Sequence, residues 1–120
     1  MNFEISAVAD LHEEMMRRCR ELDAALDRMV VDARAYAMAD ANHKKNRAVA
    51  YLESDGTVSK READADIATA KSRYESLLAE ALWRSSQLAV RSRQSQISAL
   101  QTLAGAMRAE AEFARTGPEV

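Results

Sequence analysis

Residues 50–65 read AYLESDGTVSKREADA. A helical hydrophobic pattern runs up to this stretch and another runs away from it. Gly56 sits in the middle, the first of three glycines in 120 residues. A glycine there suits the left-handed position just past a helix end. Ser59-Lys60-Arg61-Glu62 reads as a capping box, S-x-x-E, in which the serine and the glutamate each satisfy a free backbone N–H. Val58 and Ala63 stand where a hydrophobic staple would close. The stretch therefore stops one helix near Ser54 and starts the next near Ser59. A link this short makes the two helices antiparallel neighbours.

Upstream, no Gly or Pro interrupts Asn2 to Glu53. Val8, Met15, Leu22, Met29, Tyr36 and Ala50 follow a seven-residue spacing, with His43 its one polar member. Leu11, Ala25, Leu26, Ala33 and Ala39 widen the same stripe. This is the periodicity of a helix with a coiled-coil-like seam. Asn2 is the expected N-cap, with Glu4 in the first turn. Met15, Met16, Met29, Met38 and Met107 read as core fillers. Downstream, Ile67, Tyr74, Ala81 and Leu88 repeat the spacing, and Ala70, Leu77, Leu78 and Ser85 fill between them. The stripe resumes at Ile97, Leu100, Leu103, Ala104, Met107 and Ala111. Thr116-Gly117-Pro118 ends it, because proline cannot continue a helix.

The expected fold is all-α: one domain over residues 1–120, with helix 1 over about 3–53, a turn at 54–58 and helix 2 over about 59–115. The alternative is a break in helix 1 near Asp40-Ala41-Asn42-His43, giving three helices. Pairing about Gly56 sets residue i opposite about 113 − i, which places Tyr36 near Tyr74–Leu78 and Met29 near Trp83–Arg84. Hydrophobic content is 48%, but much of it is alanine, and aromatics are 5%. Alanine buries little area, so such a chain gains little from burial by itself. Self-association into a four-helix bundle or a larger homo-oligomer is the expected remedy.

Net charge is −2, from 17 basic and 19 acidic residues. A dedicated duplex-DNA binder carries a basic excess, so direct nucleic-acid binding is disfavoured. The single cysteine, Cys19, excludes an intramolecular disulfide and fits a cytoplasmic setting. The N-terminal stretch carries acids where a signal peptide needs positive charge. The longest uncharged run, Gln94 to Met107, is 14 residues and too polar to span a bilayer, so no membrane role is expected.

AYLESDGTVSKREADA, with RSRQSQISALQTLAGAMRAEAEF later in the chain, resembles a widespread and mostly uncharacterised group of small phage and prophage helical hairpin proteins. These share an alanine-rich first helix, a Leu-x-x-x-Gly-Thr-Val-like turn and an Arg/Glu/Ala-rich restart. The resemblance covers about residues 30–115. It implies an accessory role among early or recombination genes and no catalytic residue.

Two clusters stand out as candidate sites. Ala81 to Ala109 contains no Asp or Glu but holds Arg84, Arg91, Arg93 and Arg108. Within it, Arg91 to Gln96 interrupts the apolar stripe with polar groups that need partners if buried. One reading pairs these arginines with Glu13, Glu14, Glu21 and Asp23 of helix 1. The other makes a pocket in which Arg84, Arg91, Arg93 and Gln94 hold a phosphate or carboxylate. Trp83 lies off the expected seam, as an interface anchor or a stacking platform. The second cluster is His43-Lys44-Lys45-Asn46-Arg47, with His43 on the seam and Lys44, Lys45 and Arg47 fanning outward as a solvated face or an anion-binding rim. Asp40-x-x-His43 is half of a bundle metal motif and lacks the further carboxylates, so neither a metal nor a cofactor is expected. No nucleophile elbow, phosphate loop or metal pattern is present in the sequence, so the chain reads as a non-enzyme. The resulting expectation is a phage accessory or counter-defence protein that sequesters an anionic nucleotide-like ligand or host factor at an oligomer interface. The alternatives are a coiled-coil adaptor for a host or phage protein and a single-stranded-DNA or recombination accessory protein.

Overall fold

The computed structural model describes residues 3–117; the expected cap at Asn2 and the stop at Pro118 lie outside the described residues. Three helices follow one another: α1 (Phe3–Glu53), α2 (Val58–Ala68) and α3 (Ala70–Thr116). No strand occurs among the described residues. α1 is continuous through Asp40 to His43, so the break considered there does not occur.

The break falls instead at Thr69. Its backbone leaves helical geometry at φ −111° and ψ 15°, and its N–H is shared between the carbonyls of Ala65 and Ile67. The buried Thr69 hydroxyl bonds back to the Ala65 carbonyl at 2.7 Å. A threonine that bonds its own preceding turn competes with the helix ladder and bends it. The single second helix expected over 59–115 is thus divided in two.

The turn is tighter than the capping box implies. Gly56 takes φ +96°, the positive region that glycine enters without a Cβ penalty. Thr57 is then extended and caps α2, its hydroxyl accepting the Lys60 N–H at 3.2 Å. The cap therefore lies two residues before the expected Ser59. Around it, Ser54 donates to the Asp64 carboxylate at 2.7 Å, and Lys60 Nζ lies 3.1 Å from Asp64 and 3.3 Å from Asp55. Arg61 donates to the Tyr51 carbonyl and lies over the Tyr51 ring at 4.4 Å, a cation–π contact.

The chain divides into two compact units. One, the turn unit, is Asp27–Leu88; the other, the terminal unit, is Met1–Leu26 with Ala89–Val120. In the turn unit, α1 meets α2 and α3 through Arg47–Asp66, His43–Ser72, Tyr36–Trp83 and Asp32–Ser86. Partner numbers rise as α1 numbers fall. Arg47–Asp66 obeys the expected register, whereas Tyr36 meets Trp83, six residues beyond its expected partner. His43–Ser72 departs from that register by two residues and Asp32–Ser86 by five, whereas Glu21–Arg93 and Arg18–Gln96 fall within one residue of it.

The seam of the turn unit is built of small and polar residues. Ala65, Thr69, Ser72, Ser76 and Ser86 are buried, and Ala79 and Trp83 are half-buried. These positions recur every three or four residues, which is a heptad of its own. The α1 side offers Met29, Asp32, Tyr36, Ala39, His43 and Ala50, all half-buried except the buried Asp32. Large side chains on one helix require small ones on the facing helix if the backbones are to approach. Serines that would strand a polar group in an apolar core are satisfied here. Ser72 donates to the Thr69 carbonyl at 3.1 Å, and Ser86 reaches Asp32.

That arrangement overturns the expected second-helix seam. Ile67, Tyr74 and Leu88 are 78%, 65% and 62% exposed, and Leu77, Leu78 and Leu82 lie open with them. They form the face of α2 and α3 turned away from α1. On α1, Val8, Leu26, Val31, Met16 and Met38 are exposed as well, so two of the expected core methionines are surface residues. In the terminal unit the expected stripe does better: Ile97, Leu100, Ala104 and Met107 are half-buried, while Leu103 and Ala111 are exposed.

Candidate functional site

The terminal unit gathers its half-buried charges into one network. Arg18 lies 2.8 Å from Glu14 and 3.3 Å from Glu21 on its own helix, and donates to Gln96 on α3 at 3.2 Å. Arg93 answers from α3, its guanidinium 3.0 Å from Glu21 and 3.3 Å from Gln96. Glu21 is thereby shared between two arginines. Carboxylates accept several such donors, and the guanidinium fork supplies them. Arg17 also reaches Glu14 at 2.5 Å and holds the Glu14 carboxyl below the ordinary glutamate range; the hydrogen bond from Arg17 is the chief cause.

Of the arginines singled out in the sequence, Arg93 is therefore engaged with helix 1. Arg91 and Gln94 are exposed. Arg84 belongs to the turn unit, where it pairs with Glu80 one turn earlier on α3.

The second cluster does not converge either. His43 is half-buried, with Nδ1 3.1 Å from the Ser72 hydroxyl. The same hydroxyl lies 3.1 Å from the Thr69 carbonyl, so the imidazole joins the Ser72–Thr69 contact at the seam. Lys44 turns out to Asp40 at 2.8 Å, which holds the lysine above its ordinary range. The half-motif Asp40-x-x-His43 is thus occupied by two other contacts. Lys45 is exposed, and Arg47 reaches Asp66 on α2 at 3.0 Å. Trp83 is on the seam rather than off it. Its ring stacks on Tyr36 with centroids 5.6 Å apart and planes 21° apart, the offset geometry aromatic pairs favour.

A depression of about 520 Å³ runs past His12, Met16, Arg17 and Arg20. All its lining residues belong to α1, so no second element closes over it. No protein-family model, no curated protein and no solved structure matches this chain.

What remains prominent is apolar. The turn unit carries Ile67, Tyr74, Leu77, Leu78, Leu82 and Leu88 on the outer face of α2 and α3. It carries Val31, Met38, Val49 and Leu52 on exposed positions of α1, with Met38 and Leu52 each 75% exposed. Single exposed apolar residues are ordinary on a protein surface, whereas a stripe of them at helical spacing is not. Sequence reading found Ile67, Tyr74, Leu77, Leu78 and Leu88 but set them in the seam with α1, took Met38 for a core filler, and did not single out Leu82, Val31, Val49 or Leu52. The signal that separates the two faces is the second heptad, Ala65, Thr69, Ser72, Ser76, Ala79, Trp83, Ser86. Apart from Trp83 its residues are too small and polar to be taken for a core until Tyr36, His43 and Met29 are set opposite them.

Proposed function

We propose that this chain is a non-catalytic helical adaptor, a long antiparallel hairpin that assembles with other helices into a four-helix bundle or larger array. The observation that carries this reading is the outward apolar stripe of the turn unit. A helix that presents hydrophobic residues at heptad spacing docks against another helix or into a groove. The inner seam, by contrast, uses small and polar residues and keeps α1 close to α2 and α3. Partner recognition falls to α1, where Val31, Met38, Val49 and Leu52 offer anchors to a host or phage protein in the cytoplasm. The resemblance of the turn and the second helix to small phage hairpin proteins supports an accessory role.

The sequestering reading draws its support from the acid-free interval and the exposed Arg91. It ranks second because Arg93 already holds Glu21 at 3.0 Å. An anion bound there has to displace that carboxylate.

The test is co-purification from expressing cells followed by reconstitution from purified components. A partner bound by the wild type and lost in Met38→Glu or Leu52→Glu supports the adaptor. Binding that survives both substitutions rejects it. Calorimetry with nucleotides on wild type and Arg93→Ala examines the second reading, which fails if neither protein gives heat.

A further inference from the structure

We infer that the outer face of α2 and α3 in the turn unit pairs with the same face of a second copy, antiparallel, about a two-fold axis at Leu77–Leu78. This rests on the adaptor reading and names the occupant of one of its faces.

The first argument is the poverty of the chain's own core. Among the described residues only Ala65 and Val90 are buried apolar residues, and no large side chain is fully buried. A chain of this size that buries so little apolar surface gains little stability from its own core. A fold this short of buried apolar area needs its partner whenever it is folded. Another copy of the chain is present wherever the chain is made.

The second argument is the symmetry of the stripe. A two-fold contact uses the same patch on both copies. Ile67 lies ten residues before Leu77, and Leu88 lies ten residues after Leu78. An antiparallel pairing about that point sets Ile67 against Leu88 of the second copy and Tyr74 against its Ala81, a large residue against a small one. Leu77 of each copy meets Leu78 of the other.

The third argument is charge. Arg73 and Glu80 are seven residues apart, so both flank the stripe on the same side. They straddle nearly the same midpoint as Ile67 and Leu88. An antiparallel pair sets Arg73 of each copy beside Glu80 of the other, giving two cross-links per dimer. A parallel pair sets arginine beside arginine and glutamate beside glutamate. Arg73 is exposed, and the half-buried Glu80, already paired with Arg84, has lone pairs left for a second donor.

The experiment uses the full chain and measures mass by light scattering and dissociation by dilution. Wild type is expected to be dimeric, or an even multiple of two, at tens of micromolar. Leu77→Glu is expected to shift it to monomer. Arg73→Glu and Glu80→Arg each set like charges together twice, and each is expected to weaken self-association about tenfold. An equimolar mixture of those two variants restores complementary pairs and should associate as tightly as wild type. A monomeric wild type, or a mixture no tighter than its components, overturns the proposal. Loss of the partner-binding stripe on α1 leaves these readings unchanged, so failure of the adaptor role and failure of self-pairing are told apart.

Discussion

Ser86 on α3 donates its hydroxyl hydrogen to the Asp32 carboxylate on α1, and both side chains are buried. Arg28, mostly exposed, reaches the same carboxylate at 3.2 Å. A buried carboxylate that loses one of its donors retains its desolvation cost. Ser86→Ala is therefore expected to destabilise the fold by about 1–3 kcal/mol, read from urea denaturation. Replacing both members, Asp32→Leu with Ser86→Ala, removes the polar requirement and should cost less than Ser86→Ala alone. A double variant at least as unstable as the single one would show that the pair is not what holds this layer.

Tyr36 and Trp83 supply the aromatic layer of the same seam. Trp83 is the only tryptophan, so its fluorescence reports this layer alone. Trp83→Ala should cost about 2–3 kcal/mol, less than full burial would give because the ring is half-exposed. Tyr36→Ala should shift Trp83 emission to the red in the native state. An unshifted spectrum would place the two rings apart in solution.

Two glycines are expected to respond with opposite signs to alanine. At Gly56 the positive φ opposes an L side chain, and a Cβ would lie 3.0 Å from Lys60 Cδ. Gly56→Ala should destabilise by about 1–2 kcal/mol. Gly105 lies within α3, and nothing stands within 4 Å of an added Cβ. Gly105→Ala should stabilise by roughly 0.5–1 kcal/mol, since alanine is the better helix former. Thermal unfolding of both variants checks the pair of signs.

The turn has its own pH dependence. The Ser54 hydroxyl, then Lys60, hold the Asp64 carboxyl below the ordinary aspartate range. Asp64, then Asp55, hold Lys60 above the ordinary lysine range. A depressed carboxyl contributes stability that is complete above its unfolded value and is lost as pH falls through its folded one. A raised lysine contributes stability that is complete below its unfolded value and is lost as pH rises through its folded one. Wild type should therefore lose an increment of stability below about pH 4 and another above about pH 10. Asp64→Asn should flatten the acid increment and, by removing the chief partner of Lys60, reduce the alkaline one. An unchanged acid limb in Asp64→Asn would count against this network.

The sequence alone carried the helical fold, the turn at Gly56 and the inner face of α1. Each depends on local chemistry: unbroken helix formers, a positive-φ residue, and a seven-residue spacing in a helix without breaks. Thr57 and Ser59 are equally good caps by type, and only the reversal at Gly56 chose the first. The role of Arg93 was legible as one of two readings, and its contact with Glu21 is the one observed in the terminal unit.

Which face of α2 and α3 meets α1 was decided by tertiary structure. The apolar heptad of Ile67, Tyr74, Leu77 and Leu88 and the small heptad of Thr69, Ser72, Ser76 and Ser86 both have the periodicity of a seam. Periodicity marks a face without saying what lies against it. The choice rests on volume and on hydrogen bonding across the gap. Tyr36 takes Trp83 as its stacking partner, and Asp32 and His43 bring partners for Ser86 and Ser72. With that face taken, the larger apolar heptad turns outward.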